Sequence, residues 1–184
     1  QASVHHLVSE QEMMPAHTLY GYELSYFTRK VEAALQLKGI TYRRASKTLW
    51  RKWAIERRVG THQVPVLRTP DGRLLFDSTP IVSYLDGLNI GPRLHDDGPR
   101  GVLIRVVEEW LDEWLPRAVI HFRWNLPECA EAASLAIAKE TLPRAPSVIQ
   151  RHIAAKIATW GKRACRALGV DNPHQQAAAE GEVV

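Results

Sequence analysis

Short segments with strand character alternate with segments of helical period between residues 18 and 88, and this order constrains the fold more than any other feature of the sequence. Thr18–Tyr22 combines aromatic and β-branched residues, which favours a first strand. Apolar residues recur at helical spacing over residues 24–38 and predict a helix that ends at Gly39. Ile40–Arg43 then predicts a second strand, so the region begins with a β–α–β unit.

A hairpin and a further helix follow this unit. The basic segment 46–58 predicts a short helix, and Val64–Arg68 predicts a third strand. In the turn Thr69–Gly72, proline presets φ and glycine permits a positive φ, so the chain returns as a fourth strand over Leu74–Phe76. Residues 77–80 have the sequence Asp-Ser-Thr-Pro, which is typical of a helix start. The sequence therefore predicts an α/β domain, β–α–β followed by β–β–α, with a four-stranded mixed sheet.

The chain becomes helical after a linker that contains several glycines and prolines. The apolar stripe over residues 103–122 predicts a long helix that bends at Pro116. A second helix is predicted over residues 128–142, and a third carries an apolar stripe over residues 149–168. We therefore divide the chain into a leader at residues 1–17, the α/β domain at residues 18–88, the linker at residues 89–101 and an all-α domain at residues 102–184.

The composition excludes several classes of function. Cys129 and Cys165 are too few for a disulfide scaffold and indicate reduced thiols. The 8 histidines form no H-x-x-x-H motif, and none lies near a pair of cysteines, so we expect no metal site. No apolar run approaches the roughly 18 residues of a membrane helix, and the start of the chain lacks the pattern of a signal peptide. We expect a cytoplasmic protein with no membrane segment.

The positive charge of the chain is concentrated in one segment. The net charge is +4, and residues 43–58 carry only one acid, Glu56, against Arg43, Arg44, Lys47, Arg51, Lys52, Arg57 and Arg58. We interpret this segment as a solvated helix face, and the alternative is a positive field that attracts an anionic ligand. Nucleic acid is an unfavoured partner, because no recognition motif accompanies the charge.

Three motifs in order resemble the N-terminal, thioredoxin-like domain of the glutathione S-transferase superfamily. They are L-S-Y-F-T-R-K-V after the first strand, H-Q-V-P-V-L at the third strand, and D-S-T-P-I-V-S-Y-L at the helix start. The later segment E-E-W-L-D-E-W resembles the first helix of that family's all-helical domain. The resemblance covers about residues 18–88. It implies a homodimer that uses glutathione as cosubstrate and activates the glutathione thiol for attack on a small electrophile, without a metal.

The resemblance assigns the residues that hold glutathione. Val64-Pro65 matches the family's cis-proline motif, in which the residue before proline pairs its backbone with the cysteinyl part of glutathione. Asp77 and Ser78 match the pair that holds the γ-glutamyl group, and Gln63 is assigned to the glycyl end. The physics is consistent, because an extended peptide binds by strand addition and a helix N-terminus favours an anion. The alternatives are an ordinary trans proline and a Ser78 that is only an N-cap.

The resemblance leaves two candidates for the group that activates the thiol. Ser25 lies at the start of the first helix, where serine-type transferases carry their catalytic residue. Those transferases have Ser-Pro-Phe, whereas this chain has Ser-Tyr-Phe at residues 25–27. Tyr22 is the rival, at the position of the tyrosine-type hydroxyl. No cysteine lies nearby, which argues against a glutaredoxin, a thioredoxin or a cysteine-type thiol transferase.

Two further expectations concern the rest of the chain. A non-catalytic, transferase-like binding or assembly module of the kind found in translation factors and synthetase complexes remains an alternative function, and a metaxin-like relative is a more remote one. Family members also carry a later helix with a Ser/Thr-x-x-Asp capping box, and nothing after Gly169 matches it. We therefore expect an incomplete helical domain, whose stripes at residues 103–122 and 149–168 leave apolar surface exposed unless a partner covers it.

Overall fold

The first half of the described chain contains one mixed sheet, as predicted. The computed structural model describes residues 16–183, so most of the predicted leader lies outside the described residues. The strands are β1 (His17–Gly21), β2 (Tyr42–Ser46), β3 (Val66–Arg68) and β4 (Leu74–Phe76), in the sheet order β2-β1-β3-β4. β1 pairs with β2 in parallel, whereas the β1–β3 and β3–β4 pairs are antiparallel. This topology confirms the thioredoxin-like arrangement.

Three helices belong to this domain: α1 (Tyr26–Leu37), α2 (Leu49–Val59) and α3 (Ser78–Gly87). α1 and α3 place their apolar faces against the sheet, where burial of each large aliphatic side chain contributes roughly 1.5–3 kcal/mol. The buried cluster consists of Leu19, Val31, Ala34, Leu35, Ile40, Leu67, Ile81, Val82 and Leu85. Gly60, with a φ of 74°, ends α2 in the left-handed conformation that glycine adopts without strain.

Five helices follow: α4 (Pro99–Glu113), α5 (Leu115–Trp124), α6 (Pro127–Thr141), α7 (Ser147–Ala167) and α8 (Pro173–Gly181). The predicted long helix is interrupted at Trp114, with Pro116 in the first turn of α5, where a missing N–H costs little. The core of the helical domain contains Ala118, Trp124, Ala130, Ala133, Cys165, Val170 and Ala179. None of the helices in residues 16–183 is long and apolar enough to cross a membrane.

The last helix has an N-cap that the sequence analysis missed. The Asn172 side chain accepts a hydrogen bond from the Gln175 N–H at 3.0 Å. Asn and Gln stand where we sought Ser or Thr and Asp, and asparagine is an equally good N-cap. Ala179 of this helix is fully buried in the helical core. A capped helix therefore follows Gly169, although it lacks the Ser/Thr-x-x-Asp box.

The apolar stripe of α4 is exposed, as expected. Leu103 is 63% exposed and Trp110 46% exposed. Trp110 and Trp114 line an open groove together with Leu168 at the end of α7. In the stripe of α7, Ile149 is also exposed. The described chain therefore carries large apolar side chains on its surface along both stripes.

Candidate functional site

The topology of the sheet brings the three resemblance motifs to one end. In the register of the sheet, Tyr20 of β1 lies opposite Val66 of β3, which lies opposite Phe76 of β4. Because β1 and β4 end where β3 begins, the segments that follow β1, precede β3 and follow β4 emerge at the same end. They are residues 22–25, 63–65 and 77–78, which include every residue assigned to glutathione or to the thiol.

Two helices begin at this end of the sheet. α1 follows β1, and α3 follows β4. The free N–H groups and the dipole of each helix place partial positive charge there. Such an end suits a ligand that carries carboxylates and a thiolate.

Ser25 caps the first of these helices. Its backbone is extended, and its Oγ accepts a hydrogen bond from the Thr28 N–H at 3.2 Å. The residue is only half-buried. Because Oγ is the acceptor in this bond, the hydroxyl proton of Ser25 remains available to donate to a ligand.

Tyr22 directs its hydroxyl elsewhere. The hydroxyl donates to the Lys47 carbonyl at 3.1 Å, at the end of β2. Burial raises the pKa of the Tyr22 hydroxyl, so it stays protonated at neutral pH. Its single proton is already engaged by a protein acceptor.

The peptide bond between Val64 and Pro65 is cis, as the resemblance implies. Pro65 is buried, Val64 is half-buried, and Gln63 is exposed. Lys47 holds the segment before the proline, because its Nζ donates to the Gln63 carbonyl at 3.1 Å and to the His62 carbonyl at 2.9 Å.

Lys47 itself was misjudged in the sequence analysis. Its side chain is fully buried and forms an ion pair with Glu56 of α2 at 3.3 Å, measured from Nζ to Oε1. Burial lowers the pKa of its ammonium group, and Glu56 opposes that shift. The interpretation of residues 43–58 as a solvated basic face is therefore wrong at this position. A basic run gives no local signal that separates one buried lysine from its exposed neighbours.

Asp77 and Ser78 form the second helix start. The Asp77 Oδ1 accepts a hydrogen bond from the Thr79 N–H at 3.2 Å. Its φ of 70° is unusual for a residue other than glycine and strains the backbone. Ser78 is buried behind it. A strained residue persists only where the surrounding fold holds it in place, and residues of this kind cluster at binding sites.

Two residues of the helical domain also contact the site and were missed. Arg123 of α5 donates to the Leu24 carbonyl, and Glu140 of α6 accepts from the Glu23 N–H. Both contacts lie next to Ser25 in the chain. Each joins residues about a hundred positions apart, so no spacing in the sequence could have indicated them.

Neither free cysteine belongs to residues 22–25, 63–65 or 77–78. Cys129 is in α6 and Cys165 in α7, both in the helical domain. In the part of the chain that the structure describes, no group of histidine, cysteine or acidic side chains is arranged to hold a metal ion.

A thioredoxin-like sheet followed by a helical domain, with two helix starts and a cis-proline segment at one sheet end, defines the class of this protein. Residues 19–93 match a family model described as glutathione S-transferase, N-terminal domain. This match assigns the thioredoxin-like domain of the chain to the N-terminal domains of the glutathione S-transferase superfamily.

Solved structures show the same fold. A glutathione S-transferase from Rhodospirillum rubrum is 25% identical, with a TM-score of 0.55 over 78% of this chain and 63% of its own length. A β-etherase from Sphingobium is 20% identical, with a TM-score of 0.60 over 91% of this chain and 69% of its own. A glutathione S-transferase from Methylobacillus flagellatus, solved with glutathione bound, is 22% identical, with a TM-score of 0.51 over 81% of this chain and 68% of its own.

The chain thus spans 63% of the length of the Rhodospirillum protein. No curated protein is significantly similar to its sequence.

Proposed function

We propose that this chain binds glutathione at the end of its sheet and activates the glutathione thiol for attack on a small electrophile, as a glutathione transferase. The observation that carries the proposal is the convergence of residues 22–25, 63–65 and 77–78 at one end of a sheet that belongs to this superfamily.

Two of the three segments suit the three parts of glutathione. The Val64 backbone precedes a cis proline and pairs with the cysteinyl part of the peptide by strand addition. The α3 start, with Asp77 and Ser78, receives the γ-glutamyl carboxylate and amine. Gln63 is exposed beside Val64, and we assign it to the glycyl end.

Ser25 is the residue that we assign to the thiol. A free thiol has a pKa of about 8.5, so only a few per cent is thiolate at neutral pH. When the thiol releases its proton to water, the Ser25 hydroxyl donates a hydrogen bond to the thiolate sulfur. One pKa unit corresponds to about 1.4 kcal/mol, within reach of one hydrogen bond to an anion. The engaged hydroxyl of Tyr22 supports Ser25 over its rival.

Calorimetry with glutathione tests the binding. We expect a dissociation constant between about 1 μM and 1 mM, and we expect Ser78→Ala to weaken binding at least about fivefold through a lost hydrogen bond to a charged group. Ser83→Ala on the exposed face of α3 is the matched control and should bind as the wild type does. No heat and no thermal shift at saturating glutathione would contradict the proposal.

The ultraviolet absorbance of the bound thiolate tests the activation. Wild type should lower the thiol pKa of bound glutathione, Ser25→Ala should raise it again, and Tyr22→Phe should have little effect. If Tyr22→Phe raises the pKa and Ser25→Ala does not, the tyrosine is the activating group. If the wild type binds glutathione without lowering its thiol pKa, the chain is a non-catalytic binding module.

We also infer a homodimer that acts in the cytoplasm. The exposed stripe of α4 supports the first inference, because apolar surface of this kind is commonly covered by another chain. The free thiols of Cys129 and Cys165 fit a reducing compartment. Sedimentation of the protein at several concentrations tests the dimer, and a monomer at all of them would contradict it.

A further inference from the structure

The loop that carries Ser25 is held by the helical domain as well as by its own domain, in which the Arg29 Nε donates to the Glu23 carbonyl at 3.1 Å. The Arg123 Nη2 of α5 donates to the Leu24 carbonyl at 2.5 Å. The Glu140 Oε1 of α6 accepts from the Glu23 N–H at 3.0 Å. The Leu24 side chain packs against the helical core. Two successive residues before Ser25 are thus fixed through both backbone and side-chain contacts with other helices.

These contacts restrain a loop that lacks one local restraint, a proline directly after the serine. A proline after the catalytic serine would preset φ and stiffen the helix start, but this chain has Tyr26 at that position. Tyr26 instead donates its hydroxyl to the Leu111 carbonyl of α4 at 3.2 Å. Restraint of a flexible loop saves the entropy of ordering it when the ligand arrives. Here α4, α5 and α6 each supply one such restraint.

The two side chains also have a defined electrostatic setting. Burial lowers the pKa of the Arg123 guanidinium, and within residues 16–183 no carboxylate offsets that shift. Because arginine nevertheless stays protonated in proteins, the guanidinium brings positive charge to the segment that enters the N-terminus of α1. Burial raises the pKa of Glu140, although Ser46, Arg44 and Arg29 oppose the shift. Glu140 orients the loop through a backbone N–H.

We propose that Arg123 and Glu140 are positioning residues for Ser25, so that the helical domain sets how well this chain activates the glutathione thiol. The inference rests on the proposed function. Two residues outside the thioredoxin-like domain thus affect the reacting sulfur, and they do so by fixing the backbone of Glu23–Ser25.

Matched substitutions separate positioning from folding. Arg123→Met removes the donor and the charge, whereas Arg123→Lys keeps both. Glu140→Ala removes the acceptor, whereas Glu140→Gln keeps an acceptor for the Glu23 N–H. Glutathione affinity is measured by calorimetry, the thiol pKa by thiolate absorbance, and turnover with a chlorodinitrobenzene as electrophile.

We expect the Met and Ala variants to raise the thiol pKa of bound glutathione and to lower kcat about three- to tenfold. The glutathione dissociation constant should change less than about twofold, because residues 63–65 and 77–78 are untouched. The Lys and Gln variants should recover most of the wild-type thiol pKa. A residue with a purely structural role would instead lower the thermal midpoint and glutathione affinity together, and its conservative replacement would not restore the thiol pKa.

The outcomes distinguish this inference from the proposed function. A wild type that binds no glutathione, or does not lower its thiol pKa, overturns both. A wild type that lowers the thiol pKa, with Met and Ala variants that lower it equally, overturns only the positioning role. If Arg123→Met does not fold, the Glu140 pair decides the question from a different helix.

Discussion

The carboxylate of Asp86 connects the end of α3 to the linker. Its contacts allow an estimate of the stability that is lost when asparagine replaces Asp86. Its Oδ1 accepts a hydrogen bond from the Lys38 Nζ at 2.9 Å and from the Leu94 N–H at 2.8 Å, and its Oδ2 accepts from the His95 N–H at 3.2 Å. The Lys38 side chain is 1% exposed and that of Asp86 is 12% exposed. The pair therefore receives little screening from solvent.

The pKa of Asp86 sets the magnitude. Burial by itself would raise this pKa, but the bonds from Leu94, Lys38 and His95 outweigh burial and lower it from 3.8 to about 2. At about 1.4 kcal/mol per unit, this shift corresponds to about 2–3 kcal/mol of stability at neutral pH. Asp86→Asn keeps the shape and one acceptor oxygen but removes the charge and turns an amide donor toward one of the two N–H groups, so it should cost at least about that amount.

The pH dependence has a definite sign. A lowered folded-state pKa means that the contribution is fully present well above the unfolded value of 3.8 and is lost as the pH falls toward 2. The difference in the free energy of unfolding between wild type and Asp86→Asn should therefore be full at about pH 7 and shrink below about pH 4. Urea unfolding at both pH values measures it.

Asp97→Asn is the matched control. The Asp97 side chain is 87% exposed and pairs with Arg93 at 3.3 Å, so its loss should cost less than about 0.5 kcal/mol. A difference for Asp86→Asn below about 0.5 kcal/mol at neutral pH, or one that stays unchanged in acid, would refute the reasoning.

Three further predictions follow from single side chains. Lys47→Met removes the donor to two carbonyls of the cis-proline segment, and calorimetry should show glutathione binding weakened about tenfold. Unchanged binding would show that the segment keeps its conformation without Lys47. A Cβ on Gly161 would lie 2.3 Å from the Trp124 ring, so Gly161→Ala should lower stability by about 1–3 kcal/mol in urea unfolding, whereas Gly87→Ala, with open space around it, should not. At concentrations where the chain is a monomer, Trp110→Gln should change stability by less than about 1 kcal/mol yet reduce binding of a hydrophobic dye, because Trp110 is exposed in the single chain; a large loss of stability would place it in a core.

The choice between Ser25 and Tyr22 shows where sequence reasoning stopped. Both hydroxyls follow β1 in the chain, and the motif alone ranks them only by resemblance. The structure directs them differently, since the Tyr22 proton is engaged by Lys47 and Ser25 Oγ is an acceptor from Thr28. Direction of a hydroxyl depends on what lies across the fold, which residue type and spacing do not record.

The sequence by itself determined the order of the elements, the hairpin at Thr69–Gly72 and the helix start at Asp77, because turns, caps and apolar period are local properties. Only the tertiary structure decided that Lys47 is buried and that Arg123 and Glu140 reach the loop before Ser25. The spacing of apolar residues indicates which face of a helix or strand is suited to burial. The position of a polar residue in the sequence does not indicate which residue it will contact. That partner is set by packing between elements distant in the chain, so it becomes visible only once the chain has folded.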